Sequence, residues 1–336
     1  MAKNMDLTSL GRNYWGGLLA VVALGSAGLA FIFFKFPRQN WQAFLEIHPV
    51  YLFLAFFLTG GLWLVETSRM QLILKSLGWS LPWKNILAVN LAFAFAAAVT
   101  PAGSGGPPVQ AYLLYRQGLK AEKAVVAATT RMALSLIFFA LINPVLVIFF
   151  QSHLGLAGWL SWLVLTGVTI NSLGMLVFFL LTLRPAWVET FVGTFLPLRF
   201  RAGFRRRVED FSLAWRELFK SKNYLRLILI FILTLFYWGI FFSLGWILAL
   251  GLGALGAWLP FVARMILIYF LLSYVPLPGA SGAAEVSYAY VFSDYVSRDL
   301  AGALVTGWRF FTYYINIIVG SLALWWLIKS EPDKER

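Results

Sequence analysis

Four charged residues lie inside long apolar stretches of this sequence, where a side chain can act on a substrate away from bulk water. They are Arg131, Arg264, Glu285 and Arg309. Arg131 lies about ten residues into the apolar run 121–150, which is about 15 Å along that run if it is an α-helix. A charged side chain at mid-bilayer is costly, so each of the four is a functional candidate.

Three arginines against one glutamate leave excess positive charge in these stretches. A guanidinium group holds phosphate through paired hydrogen bonds, so the excess suits an anionic lipid head group. We predict that Arg131 and Arg309 converge with Glu285 on a central cavity. The full predicted substrate-binding set is Arg131, Arg309, Arg264, Glu285, Ser104, Ser281 and Tyr313. The alternative is structural: Glu285 pairs with one arginine, and the others reach the membrane surface or bond to loop carbonyls.

Two segments rich in Pro, Gly, Ser and Ala interrupt the apolar runs, and we call them the first box (100–116) and the second box (276–290). Aligning Pro101 with Pro278 also aligns Ser104 with Ser281, Gly105 with Gly282 and Val109 with Val286. Unpaired backbone groups find no water inside a bilayer, so such breaks persist only around a cavity or within protein. The predicted helix-break residues are Pro101, Gly103, Gly105, Gly106, Pro278, Gly279 and Gly282. The alternative is that both breaks are simple helix kinks.

Composition places the chain in a membrane. Its 336 residues are 60% hydrophobic and 12% charged, against roughly 45–50% apolar residues in soluble domains. The net charge of +13 sits in short loops between apolar runs, which argues against a nucleic-acid partner. There is no cysteine, and the two histidines, His48 and His153, lie far from the boxes. We therefore expect no metal, no cofactor and no enzymatic activity.

The apolar runs predict an all-α polytopic membrane protein with six full spans and two re-entrant helical hairpins. The predicted spans are 14–34, 49–65, 121–150, 156–183, 224–250 and 300–328. The hairpins are 83–99 with 109–115, and 259–275 with 285–292, and each turns at a box. The second span is expected to end before Glu66 and Arg69.

Lysine and arginine are concentrated in alternate loops, which sets the predicted orientation. The loops 66–84, 116–123 and 184–226 and the end of the chain are basic, whereas 151–157 and 251–258 contain no Lys or Arg. Both termini are then cytoplasmic. With that orientation, residues 1–155 and 156–329 form two repeats of opposite topology, a pattern typical of secondary transporters. The second repeat contains a basic cytoplasmic segment, 184–223, and a charged tail follows at 330–336.

The stretches TPAGSGGPPVQAYLLYRQGL, PLPGASGAAE and GWRFFTYYINIIVG, together with the helix carrying Arg131, resemble the lysylphosphatidylglycerol synthase transmembrane-region family. The resemblance covers nearly the whole chain. It implies a flippase-like protein of the plasma (cell inner) membrane, which moves an anionic phospholipid or a polyprenyl-phosphate-linked lipid between leaflets. No soluble synthase domain follows the membrane part, so lipid aminoacylation itself is not implied.

Two other functions stay open, as does the role of one basic segment. The chain can be a non-transporting assembly or regulatory subunit, or an intramembrane transferase acting on lipid phosphates. The expected partners are membrane lipids, with a second copy of the chain or a lipid-synthesising protein as further possibilities. The basic segment 199–222 is either a surface helix on anionic lipid or a regulatory contact.

Overall fold

The computed structural model describes residues 44–154, 158–184, 186–187, 190, 198–220 and 223–329. Within these residues the chain is helical and has no β-strand. The predicted first span, 14–34, and the tail, 330–336, lie outside the described residues. The helices are α1 (Pro49–Ser76), α2 (Trp83–Val99), α3 (Gly106–Arg116), α4 (Ala121–Leu154), α5 (Gly158–Leu183), α6 (Leu198–Leu218), α7 (Tyr224–Gly251), α8 (Trp258–Leu272), α9 (Ala283–Phe292), α10 (Arg298–Arg309) and α11 (Ile315–Lys329). A π-helical turn, Phe310–Tyr314, joins α10 to α11.

Four of the described segments are long and apolar enough to cross a bilayer. They are Pro49–Ser76, Ala121–Ile148, Tyr224–Gly251 and Leu300–Lys329. The shorter apolar helices are α2, α8 and the part of α5 from Trp162 to Val177. Several apolar helices of this kind make the chain an integral membrane protein. The count of six spans and the location of the termini stay predictions.

The second predicted span ends later than expected. Helix α1 continues eleven residues beyond Val65, to Ser76. Glu66 and Arg69 therefore lie within the helix, where they are only 5% and 1% exposed. Glu66 is about 15 Å from the helix end at 1.5 Å per residue. The helix can continue through two charges because they form an ion pair with each other, at 2.7 Å.

Several helix ends meet at one end of the molecule, which we call the basic end. Asn85 at the start of α2 donates to Gln117, which follows α3, at 2.7 Å. Lys123 in the first turn of α4 donates to the Leu77 carbonyl at 2.6 Å, just after α1. Asn223, which precedes α7, donates to the Ser76 carbonyl at 3.1 Å. The loops predicted to be basic and cytoplasmic thus lie together.

Helix α6 packs onto this basic end through one face. Trp215 and Leu218 are 2% and 1% exposed and join the apolar cluster around the end of α1. Glu217 forms an ion pair with Lys123 at 2.9 Å, whereas the opposite face carries exposed charges such as Arg205. The segment predicted to be a surface helix is therefore an amphipathic helix anchored to the membrane part. Its contact with lipid stays a prediction.

The two boxes turn two helical hairpins, α2–α3 and α8–α9, and the boxes touch each other. Pro101 and Pro278 form an isolated antiparallel bridge. The open end of α2–α3 lies at the basic end. The open end of α8–α9 lies at the opposite end, where the Leu255 N–H donates to the Tyr295 carbonyl at 3.2 Å. The open ends of the two hairpins thus lie at opposite ends of the molecule, and their turns are in contact.

Candidate functional site

The boxes have the same local backbone structure. Each opens with two β-turn hydrogen bonds and continues with the first bond of a helix. In the first box the three bonds are Gly103 N–Thr100 O (3.2 Å), Ser104 N–Pro101 O (3.0 Å) and Val109 N–Gly105 O (3.2 Å). In the second box the corresponding bonds are Ala280 N–Leu277 O (2.9 Å), Ser281 N–Pro278 O (3.1 Å) and Val286 N–Gly282 O (3.2 Å). The sequence alignment of the boxes therefore corresponds to a structural one.

Two left-handed residues follow the proline in each box. Their φ angles are 48° at Ala102 and 70° at Gly103, and 55° at Gly279 and 50° at Ala280. Ala102 and Ala280 are the non-glycine residues with positive φ in the described part of the chain. An alanine in this region costs roughly 1–2 kcal/mol, so the surrounding contacts must hold the turns in place.

Close approach explains the glycine at position 105. A Cβ there would lie 2.7 Å from Thr100 Cγ2, and the Gly105 N–H donates to Thr100 Oγ1 at 2.8 Å. Its φ of −76° is open to any residue, so space and not conformation requires glycine. The first half-helix, α3, therefore begins tightly packed against the end of α2.

Arg309 and Glu285 hold the second box, and with Gly279 and Gly282 we call them the box-junction cluster. Arg309 Nη2 lies 3.1 Å from Glu285 Oε1 and donates to the Gly279 carbonyl at 2.6 Å. The other Glu285 oxygen accepts the Gly282 N–H at the start of α9. The cluster contains one arginine and one glutamate, so its net charge is zero. Its contacts connect the turn at Gly279 to the start of α9.

Tyr313 joins the box-junction cluster to the end of α2, just before the first box. Its ring lies 4.8 Å from the Arg309 guanidinium carbon, and its hydroxyl donates to the Ala98 carbonyl at 2.8 Å. Tyr313 lies in the π-helical turn, a distortion that often occurs at functional sites. This hydrogen bond connects the end of α2 in the first half of the chain to the π-helical turn in the second half.

A second charged cluster consists of Glu66, Arg69 and Arg131, and we call it the Glu66 cluster. Glu66 Oε2 lies 2.7 Å from Arg69 Nη2, and Glu66 Oε1 pairs with Arg131 Nε. Arg69 also donates to Thr234 Oγ1 at 3.2 Å, and the Arg131 guanidinium lies 3.7 Å from the centroid of the Phe93 ring. Two arginines against one glutamate leave the cluster with one net positive charge.

A cavity of about 40 Å³, lined by both polar and apolar side chains, adjoins the Glu66 cluster. Glu66, Arg131, Asn90, Tyr237 and Asn316 contribute to its wall. This volume holds a few water molecules, since one water needs about 10–15 Å³ by the same measure. Two buried donors, Arg131 Nη1 and Asn90 Nδ2, have no hydrogen-bond acceptor among the described residues. The wall therefore offers positive charge and unused N–H groups.

The comparison with known proteins gives the family. A family model described as the lysylphosphatidylglycerol synthase TM region matches residues 17–320. The chain belongs to this family. A UPF0104 membrane protein of Archaeoglobus fulgidus is 27% identical over 333 residues, covering 93% of this chain and 98% of the relative. A UPF0104 membrane protein of Methanocaldococcus jannaschii is 23% identical over 319 residues, covering 88% and 90%. The resemblance seen in the boxes is thereby confirmed.

The structure of this family member separates the residues predicted to bind substrate. Arg131 lines the cavity, whereas Arg309, Glu285 and Tyr313 lie together at the box junction. Arg131 pairs with Glu66 on the continuing α1 helix, and Glu285 pairs with Arg309.

The remaining predicted residues lie elsewhere. Arg264 forms an ion pair with Asp294, whose side chain is 58% exposed, and faces the Tyr295 ring at the end opposite the basic end. Ser104 is exposed and Ser281 is half-buried, both within the box turns. They shape the turns through their backbone N–H groups, and Arg264 belongs to neither charged cluster.

Glu66, Arg69 and Asn90 are site residues that the sequence interpretation missed. Hydropathy alone predicts that the span ends at Glu66 and Arg69. The segment 70–74, MQLIL, in which only Gln71 is polar, is the signal that the helix continues. For Asn90 the sequence offers one indication only, which is that its amide side chain lies inside an Ala-rich apolar run.

Proposed function

We propose that this protein moves an anionic lipid between bilayer leaflets, with the head group passing through the cavity beside Arg131. The observation that carries the proposal is a buried cluster with one net positive charge beside a cavity whose wall includes Arg131 and Asn90. A buried charge without a counter-ion lowers the stability of the fold, so its presence indicates a function. A transient anion would supply the missing negative charge. The guanidinium of Arg131 and the amide of Asn90 would supply the hydrogen bonds.

The arrangement of the hairpins supports a transport architecture. We propose that α2–α3 and α8–α9 are re-entrant from opposite leaflets and that residues 1–155 and 156–329 are inverted repeats. The antiparallel contact of Pro101 with Pro278 and the matching turn bonds favour this arrangement. In such folds the broken helices meet near the midplane, where substrate binds.

The proposed topology predicts opposite labelling of two hairpins. The chain has no native cysteine, and Lys120 and Ser297 are both exposed. In intact cells a membrane-impermeant maleimide should label Ser297→Cys but not Lys120→Cys, and permeabilised cells should label both. Equal labelling of the two positions in intact cells would contradict the inverted arrangement.

Reconstitution into liposomes tests the transport proposal. We expect the protein to accelerate exchange of a fluorescent anionic phospholipid between leaflets, relative to protein-free vesicles, and to act weakly on a zwitterionic one. Exchange at the protein-free rate, with stable copurification of another protein, would favour the assembly or regulatory subunit instead. A chemically altered lipid recovered from the vesicles would favour the intramembrane transferase.

A further inference from the structure

Glu66 has an unusual position, because each of its two oxygens pairs with a different arginine. Oε2 lies 2.7 Å from Arg69 Nη2, and Oε1 pairs with Arg131 Nε. The Glu66 side chain is 6% exposed and the Arg69 side chain 1%, whereas Arg131 is 12% exposed and lines the cavity. Arg69 is also fixed on its other side by Thr234. The pair with Arg69 is therefore the enclosed one, and the pair with Arg131 borders the cavity.

We propose that Glu66 is an internal substitute for the substrate anion and sets the charge that the cavity accepts. Without lipid, Glu66 occupies Arg131. An arriving head group takes its place on Arg131, and Glu66 keeps its pair with Arg69. The inference rests on the proposed function, because it takes the Arg131 cavity as the place where the head group binds.

Counting charges gives the class of ligand. The two guanidinium groups and Glu66 sum to one positive charge, which a phosphodiester with one negative charge neutralises. A phosphomonoester carries about −1.5 to −2 at neutral pH and would leave net negative charge in a buried site. The cavity therefore favours lipids whose phosphate is a diester over lipids that end in a phosphate monoester.

The size of the cavity agrees with an exchange of partners. About 40 Å³ holds a few waters, which is too little for a head group while Glu66 stays on Arg131. Releasing that contact frees the Arg131 guanidinium, one of whose terminal nitrogens already has no acceptor among the described residues. The donors that the phosphate needs are thus already present in the wall.

Equilibrium binding tests the inference without requiring transport. Calorimetry on the full chain in detergent would use two soluble short-chain probes, a phosphatidylglycerol (diester) and a phosphatidate (monoester). We expect the parent to bind the diester more tightly. Glu66→Gln adds one positive charge to the site, so the diester-to-monoester affinity ratio should fall by about tenfold or more. The matched control is Glu217→Gln, which removes the partly exposed partner of Lys123 and should leave the ratio unchanged.

A second variant guards against a folding defect. Glu66→Asp keeps the charge on a shorter side chain, so it should keep the diester preference even if its affinity changes. An unchanged ratio in Glu66→Gln, or a parent that binds neither probe, would overturn the inference. Loss of leaflet exchange in vesicles with the binding ratio behaving as expected would overturn only the transport proposal.

Discussion

Arg131→Gln is expected to lower the rate of anionic-lipid exchange at least about 30-fold, since losing one partner of a buried charged contact costs about 2 kcal/mol or more. The fold should survive, because Glu66 keeps its pair with Arg69 at 2.7 Å and the remaining cluster is neutral. The measurement is leaflet exchange of a fluorescent anionic phospholipid in liposomes, with thermal unfolding of the same preparations. Arg131→Lys keeps the positive charge but lacks the planar guanidinium group, so its exchange rate should lie between those of the parent and Arg131→Gln.

The matched control for this variant is Arg264→Gln. Arg264 is also an arginine in the membrane part, but its partner Asp294 is exposed and it lies outside the Glu66 cluster. We expect its exchange rate to stay close to that of the parent. If Arg131→Gln exchanges lipid as fast as Arg264→Gln, the cavity at Arg131 is not on the transport route.

Arg309→Gln is expected to act on stability, with a loss of about 2–3 kcal/mol, because the partly buried Glu285 and the Gly279 carbonyl both lose a charged hydrogen-bond donor. The variant leaves Glu285 without this ion pair and the Gly279 carbonyl without its donor at 2.6 Å. Both lie in the second box, whose left-handed turn needs outside support. The midpoint of thermal or denaturant unfolding in detergent measures the effect.

A double variant separates charge from packing at this junction. Arg309→Gln with Glu285→Gln removes both charges, so it should be more stable than Arg309→Gln alone. Arg264→Gln should again cost little, since ion pairs with an exposed partner contribute about 0.2–1 kcal/mol. A loss for Arg309→Gln no greater than that of Arg264→Gln would show that the box junction does not depend on this arginine.

Local chemistry made the helices and the boxes predictable from the sequence. Apolar runs of about 20 residues predict spans, and the described candidate spans overlap four of the predicted ones, although the first continues eleven residues further. The Pro- and Gly-rich boxes predicted two breaks in equivalent positions, and Pro101 and Pro278 do meet there. Turn residues act through their own φ and ψ angles, so their effect can be inferred without knowing the fold.

The partners of the buried charges were not predictable in the same way. Glu66 and Arg131 come from helices far apart in the chain, and only the packing of α1 against α4 brings them together. Hydropathy placed Glu66 at a span end because it scores each residue alone, whereas a paired charge costs much less than a single one. For the same reason Arg131 and Arg309 looked equivalent, although one lines a cavity and the other fixes a turn.

Photo-cross-linking from inside the cavity tests the central claim most directly. Phe311 is 4% exposed and contributes to the cavity wall, whereas Phe57 is 69% exposed on the outer surface of α1. A diazirine-bearing phenylalanine analogue at position 311 should cross-link anionic phospholipid in vesicles, detected by mass spectrometry, and Arg131→Gln should remove the adduct. The same analogue at position 57 should cross-link lipids whatever their head group. Two results would contradict transport through this cavity. One is that no lipid adduct forms at position 311, and the other is that adducts form equally with zwitterionic lipid and in Arg131→Gln.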